Sequence, residues 1–176
     1  HCPAGIDCKI RLSALEQSVT KSLSTLKDVD AKFGTQLEFT TEGLAKRSRQ
    51  TATRENLEKS WQEVTAALNA SQGQISADIE TKYDNVNGVI NTMITHLGDT
   101  STLILDPELD TYYTMDITLL ALPQNQNRIE RMIEDARAAY GRGAFTVDDR
   151  MTFAANAALL QTSDIDRVMG DVQTAL

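Results

Sequence analysis

Apolar residues recur every three or four positions along most of this chain, which is the period of an amphipathic α-helix. The first such stripe contains Leu12, Leu15, Val19, Leu26, Val29 and Phe33. Gly34 follows directly and is a typical residue for ending a helix. The pattern therefore predicts a first long helix from about residue 10 to residue 33, after an irregular start over residues 1–8.

Four further helices are predicted by the same spacing, over about residues 53–70, 75–105, 107–140 and 146–176. The stripes of the second and third helices contain Leu57, Trp61, Val64, Leu68, Ile79, Tyr83, Val86, Ile90, Met93 and Leu97. Residues 35–52 lack a long stripe and are expected to form a connection with one helical turn near residues 42–47.

Local signals mark several of these boundaries. The Asp-Pro-Glu run at 106–108 combines an N-cap residue, a proline suited to the first helical position and an acidic residue in the first turn. Thr146 and Asp149 have the spacing of a capping box. Pro123 lies inside the fourth helix and is expected to kink or split it, because proline cannot donate the helical hydrogen bond.

No segment of strand length alternates with period two, so the predicted fold class is all-α. A helix of about 30 residues is about 45 Å long. Long amphipathic helices joined by short turns pack as an up-and-down bundle with coiled-coil-like crossings. We therefore expect an elongated, four-helix-bundle-like architecture in which residues 1–176 form a single domain.

Composition narrows the classes of function. The chain has 17 basic and 25 acidic residues and a net charge of −8, which disfavours binding to the phosphate backbone of nucleic acids. No stretch approaches the roughly 18–20 apolar residues of a membrane span. The chain also opens at His1 with no signal peptide, which suggests a fragment cut from a longer protein.

The segment from His96 to Leu122 is the most unusual part of the sequence, because it places four aspartates and two tyrosines in an apolar region. On a helix, Asp116 shares a broad face with Tyr112, Tyr113 and neighbouring leucines, so it is predicted to point into the core. Three interpretations remain open. Asp116 is held by a tyrosine, an arginine or backbone donors of another helix, or it lines a ligand pocket with the tyrosines, or it belongs to a metal or acid–base carboxylate pair.

The candidate ligand-binding residues are Asp99, Asp110, Tyr112, Tyr113, Asp116, Arg128 and Arg131. The two arginines are included because a guanidinium facing inward could hold an anionic ligand, although a surface role in ion pairs is the competing interpretation. Cys2 and Cys8 are the only cysteines, and either a frayed terminus with two thiols or a small disulfide loop fits their spacing.

Catalytic motifs are missing from the sequence. It contains no Gly-rich phosphate loop, nucleophile elbow, Cys–His pair or Glu-x-x-His metal motif. We therefore expect no catalytic residues, metal or cofactor, and we expect His96 to be a surface or packing residue.

The segment 98–123 resembles a known family. Gly98 to Ser101, the run Leu-Asp-Pro-Glu-Leu-Asp-Thr-Tyr-Tyr-Thr-Met-Asp from Leu105 to Asp116, and Leu122-Pro123 are similar to the periplasmic helical sensor regions of bacterial transmembrane receptors. Such regions occur in histidine kinases, methyl-accepting chemoreceptors and some diguanylate cyclases. The upstream helical stretch from Leu15 to Leu44 also resembles those proteins loosely.

The resemblance implies a periplasmic sensor domain of a two-component histidine kinase or a related receptor, anchored by flanking membrane helices that this chain lacks. It would perceive a small ligand or a periplasmic partner protein and transmit helix displacements within a homodimer. It implies no enzymatic activity for these residues. The alternatives are a chemoreceptor periplasmic domain, or a structural spacer that sets dimer geometry.

Overall fold

The computed structural model describes residues 6–71, 76–102 and 108–176, and the side chains of residues 6–12 lie outside the description. About 85% of the chain is helical, and the described residues contain no strand, so the all-α prediction is confirmed. The chain divides into two compact units, His1–His96 and Leu97–Leu176. The up-and-down arrangement and the single domain stay predictions.

Eight α-helices and two π-helical segments are found in the described ranges. They are α1 (Ile6–Phe33), α2 (Thr41–Lys46), α3 (Arg54–Ala70), α4 (Ala77–Thr100), α5 (Leu109–Met115), π1 (Asp116–Ala121), α6 (Leu122–Arg142), α7 (Val147–Leu159), π2 (Leu160–Ile165) and α8 (Asp166–Ala175).

Most helix boundaries lie close to their predicted positions. Gly34 follows the end of α1, and Thr53 caps α3 by accepting a hydrogen bond from the backbone N–H of Asn56. Helix α4 ends at Thr100, short of the predicted residue 105, and Thr102 adopts a left-handed φ of 61° that a continuing helix excludes. The predicted cap at Asp106 and Pro107 lies outside the described residues.

The core of the first unit is apolar and connects α3 to α4. Leu57 and Val64 of α3 pack with Val86 and Val89 of α4. Partly buried side chains of the same unit surround this cluster, namely Leu23, Leu26, Trp61, Leu68, Tyr83 and Met93. Burial of these aliphatic side chains supplies the non-directional part of the unit's stability.

The connection after α1 packs on the end of α4 within the same unit. His96 is completely buried, and its Nε2 lies 3.1 Å from the backbone oxygen of Glu38. The ring of Phe39 meets the His96 imidazole edge to face at a centroid distance of 4.5 Å. His96 is therefore a packing residue of the core, in agreement with one of the two expected roles.

The second unit contains a helical hairpin. Its first arm runs through α5, π1 and α6, and its second arm through α7, π2 and α8. Gly143 has a φ of 73° at the turn, and Thr146 and Asp149 form the predicted capping box. Because α5 and π1 contact α8 while α6 contacts α7 and π2, the arms are antiparallel.

Pro123 does not split the first arm, because the helical backbone continues from α5 through π1 into α6, whereas the predicted kink stays a prediction. Pro123 lies at the second position of α6, which directly follows π1. The backbone N–H of Leu122 donates to the carbonyl of Ile117, which is a π-type bond spanning five residues. Proline has no N–H and cannot donate the helical hydrogen bond to the carbonyl four residues before it. The wider π-helical turn shifts the pairing of donors and carbonyls by one residue, so the helix continues past the proline.

Two helical glycines provide a matched test of packing around α2. A Cβ on Gly43 would lie 2.2 Å from the backbone oxygen of Glu38, whereas a Cβ on Gly88 of α4 would meet no atom within 4 Å. We expect Gly43→Ala to destabilise the protein by roughly 1–3 kcal/mol through overpacking. Gly88→Ala should stabilise it by roughly 0.5–1 kcal/mol through helix propensity. Urea unfolding followed by circular dichroism measures both, and effects of the same sign would contradict the packing described for α2.

The turn of the hairpin predicts an acid dependence of stability. Arg142 donates to both carboxylate oxygens of Asp149 at 2.6 and 2.7 Å, and Thr146 donates to Oδ2 from its backbone and hydroxyl. The Arg142 guanidinium, assisted by Thr146, lowers the pKa of Asp149 from 3.8 to about 2. A lowered carboxyl pKa contributes stability that is present above the unfolded value and is lost as the pH falls through the folded value.

Wild type should therefore be more stable than Asp149→Asn at neutral pH, and this difference should disappear as the pH falls from 3.8 towards about 2. Unfolding free energies measured across that range provide the test. Asp148→Asn, at the exposed neighbouring position, removes the same charge and serves as the control. A pH-independent difference between wild type and Asp149→Asn would refute the role of the charged pair.

Candidate functional site

Two buried aspartates lie on opposite arms of the hairpin, each in a π-helical segment. Asp116 is the first residue of π1 and is 7% exposed, and Asp164 lies in π2 and is 1% exposed. A π-helical turn inserts one residue relative to an α-helix and so changes which side chains point inward. Such segments occur frequently at functional sites, which makes this pair of aspartates the first candidate.

Arg167 of α8 holds Asp116 with two parallel hydrogen bonds. Its Nε donates to Oδ2 at 2.8 Å and its Nη2 donates to Oδ1 at 2.6 Å. Its Nη1 lies 3.4 Å from the side-chain oxygen of Gln124. This fork geometry is the strong form of an ion pair and also fixes its direction. Of the three interpretations of Asp116, the one in which an arginine of another helix holds the carboxylate describes this contact.

A second ion pair also joins the two arms, but here the arginine lies on the first arm and the aspartate on the second. Arg128 of α6 donates from Nε to Oδ2 of Asp164 at 2.7 Å. Each arm therefore contributes one aspartate and one arginine. Arg128 does face inward, as one of its interpretations proposed, but it binds a carboxylate of the protein itself.

Asp171, one turn after Arg167 on α8, adds a third carboxylate beside Asp116. Its Oδ2 is buried, and none of the described residues donates a hydrogen bond to it. Burial raises the pKa of Asp171 above its usual value of 3.8, the neighbouring Asp116 carboxyl raises it further, and Arg167 opposes both effects. Two carboxylates therefore share one guanidinium.

The other predicted site residues are only partly brought together. Tyr112 and Tyr113 are half-buried and meet edge to face at a centroid distance of 5.3 Å. The hydrogen bonds to Asp116 raise the pKa of Arg167, and Tyr112 contributes to this shift electrostatically. Asp110 is exposed, and its Oδ1 accepts a hydrogen bond from the backbone N–H of Thr111. Asp99, in the last turn of α4, and Arg131 are exposed. A site around Asp116 thus includes Tyr112 but not Asp110 or Arg131.

Sequence reasoning missed Gln124, Asp164, Arg167 and Asp171. The spacing of the last three carries a signal, because Arg167 follows Asp164 by three residues and precedes Asp171 by four. Residues three and four apart lie on one face of a helix. Three charges at this spacing would have indicated a polar contact with another helix.

Two cavities are found among the described residues of the first unit. One, of about 190 Å³, is lined by Asp30, Phe39, Leu44 and Arg54 among others. The other is an open groove of about 480 Å³ between α1 and α3, lined by Glu16, Leu23, Glu58 and Trp61 among others. Only the groove reaches the range of roughly 300–1,000 Å³ typical of small-molecule sites.

No family model, curated protein or solved structure matches this chain. Within the described ranges, no helix is both long enough and apolar enough to cross a membrane. The same part of the chain contains no group of three or more His, Cys, Asp or Glu residues arranged to hold a metal ion. Cys2 and the side chain of Cys8 lie outside the description, so their disulfide stays a prediction.

The ion pair between Arg128 and Asp164 predicts a large effect on stability. Arg128→Met leaves the buried Asp164 carboxylate without its cation, and uncompensated buried charges typically destabilise by about 3–5 kcal/mol. We expect a loss near the lower end, about 3 kcal/mol, because Arg128 itself is partly exposed to water. Arg131→Met, at an exposed position on the same helix, should change stability by less than about 0.5 kcal/mol. Equal losses in urea unfolding would show that the pair does not stabilise the hairpin.

Proposed function

We propose that this chain is the periplasmic sensor domain of a bacterial transmembrane receptor, with a two-component histidine kinase as the favoured type. The pattern around Asp116 that resembles such sensors supports the proposal, and so does the all-α fold. Flanking membrane helices, outside this chain, would anchor the domain. The fragment itself would bind and transmit rather than catalyse.

The observation that carries the proposal is the placement of both cross-helix ion pairs at π-helical segments. A π-helical segment can convert to α-helix by moving its extra residue, which rotates the following part of the helix. Asp116 and Asp164 would then meet their arginines in a different register. The hairpin thus has the properties of a two-state element, and displacements of about 1–2 Å along a helix are typical of such switches.

A stimulus must bind one state more tightly than the other to shift this equilibrium. The proposed stimulus is a small molecule or a periplasmic protein acting near the Tyr112–Asp116 segment. The groove lined by Trp61 offers a second location, because its volume lies in the range of small-molecule sites.

A homodimer is the proposed assembly. The hairpin leaves several large apolar side chains in water, including Leu109, Val147, Met151 and Met169, which are 54–73% exposed. Exposed apolar surface of this kind is typical of sites where another protein binds.

A structural spacer that sets dimer geometry is the second candidate. It is favoured by the way Arg167 occupies both oxygens of Asp116, since a spacer needs a filled core at this position. The two candidates differ in their response to ligands and in their effect on an output domain. A chemoreceptor periplasmic domain would share the sensor mechanism and differ only in that output.

Ligand screening separates a sensor from a spacer. Thermal shifts measured with separate panels of amino acids, carboxylates and amines should reveal at least one compound that stabilises the chain. A ligand at about 100 times its Kd adds about 2.7 kcal/mol to the unfolding free energy. Trp61 is the only tryptophan and reports binding in the groove by fluorescence, with Trp61→Phe as the control.

A hybrid receptor tests transmission. With this chain placed between two membrane-spanning helices and a histidine-kinase output, Arg167→Gln should change basal autophosphorylation several-fold, because it releases Asp116. Arg150→Gln, at an exposed position on α7, is the matched control. Unchanged output in both variants, together with no stabilising compound, would leave the spacer as the better description.

A further inference from the structure

One guanidinium serves two carboxylates at the contact of α8 with α5 and π1. Arg167 attracts both Asp116 and Asp171 electrostatically, but it donates hydrogen bonds to only one of them. Its Nε and Nη2 donate to Asp116, and its Nη1 donates to Gln124. Every nitrogen of Arg167 therefore has a partner other than Asp171.

The Asp171 carboxylate is left without a donor on its inner side. Its Oδ2 is buried, and none of the described residues donates a hydrogen bond to it. A buried acceptor without a partner is destabilising, and a buried negative charge more so. Asp116 lies next to it, but two ionised carboxylates cannot form a hydrogen bond because neither has a proton to donate.

The groups that act electrostatically on Asp171 are few. Asp116 on π1 and Arg167 on α8 affect it directly, and Tyr112 on α5 acts on Arg167. Asp164, on the neighbouring π2, is held by Arg128. The described contacts thus provide one positive and two negative charges at this position.

We propose that Asp116 and Asp171 form a proton-binding site that stabilises the α8 contact of the hairpin when it is occupied. One proton from solvent forms an O–H bond with Asp171, and that O–H donates a hydrogen bond to the Asp116 carboxylate. Asp116 keeps its two bonds from Arg167. The cluster then has one positive and one negative charge, and the buried oxygen takes part in a hydrogen bond.

Loss of the proton removes this hydrogen bond and restores the second negative charge. The carboxylates repel each other, and the inner oxygen of Asp171 is again charged and unpaired. The simplest relief is for α8 to move away from π1 so that water reaches Asp171. Acidity would therefore be one stimulus of the two-state hairpin, and this physiological part rests on the proposed function, whereas proton binding itself does not.

The sign of the pH dependence follows from the pKa of Asp171, which burial and Asp116 raise above 3.8. A group with a raised carboxyl pKa binds more protons in the folded state than in the unfolded state. Ionised Asp171 therefore lowers the free energy of unfolding by its full amount above the folded-state pKa. This destabilisation is relieved as the pH falls through that pKa towards 3.8.

Carboxyl ¹³C NMR of the isolated chain tests the site directly. We expect the carboxyl carbon of Asp171 to report a protonation step with a midpoint above 3.8. An Asp171 midpoint at or below 3.8 would overturn the proposal.

Asp171→Asn tests the link to the hairpin, because the amide resembles the protonated acid in shape and donates one hydrogen bond to Asp116. At neutral pH this variant should melt higher than wild type, by about 2–4 °C. The difference should shrink as the pH is lowered and wild type takes up its proton. Asp166→Asn removes the same charge from an exposed position on α8, and it should show no such pH-dependent difference.

An Asp171→Asn variant that melts at or below the wild-type temperature at neutral pH would refute the linkage. Failure of the hybrid receptor would count only against the sensor function, since both proton experiments use the chain without membrane helices or output domain.

Discussion

The need to compensate buried carboxylates governs the structure of the hairpin. Asp116 and Asp164 are almost fully enclosed, and an isolated charge at such depth is strongly unfavourable. Each therefore requires an arginine from the opposite arm, which is Arg167 for Asp116 and Arg128 for Asp164. The buried apolar side chains of the arms are few and mostly small, with Met115, Ala121 and Ala139 below 6% exposure. Directional ion pairs thus define the alignment of helices that apolar packing alone would specify weakly.

The first unit is organised by a different kind of force. Leu57, Val64, Val86 and Val89 form a conventional core, and burial of aliphatic area does not depend on exact direction. One of its buried polar residues, His96, lies against a backbone oxygen and an aromatic ring rather than a charge. A contact that depends on charge changes with pH, whereas an aliphatic contact does not.

The π-helical segments connect this electrostatic arrangement to the proposed sensor function. They carry the two buried aspartates, and π1 ends two residues before Pro123, where an uninterrupted α-helix would lack a hydrogen bond. The sequence predicted a kink or a split at this proline. The arm is not split, because one turn widens and the helical backbone continues, with Asp116 facing α8. A continuous arm can carry a displacement from one end to the other, which a broken one cannot.

The sequence by itself determined features that depend on neighbours a few residues away. The spacing of apolar residues was sufficient for the all-α class, the Thr146–Asp149 box marked a helix start, and Asp116 was correctly placed on an inward face. Only the tertiary structure decided that Val89 rather than Ile90 enters the core, that Arg167 is the partner of Asp116, and that Asp171 shares that arginine. The physical reason is the distance along the chain between the residues that interact. Caps and helical period arise from bonds within about four residues, whereas the partner of a buried charge 51 positions away depends on the register of two arms.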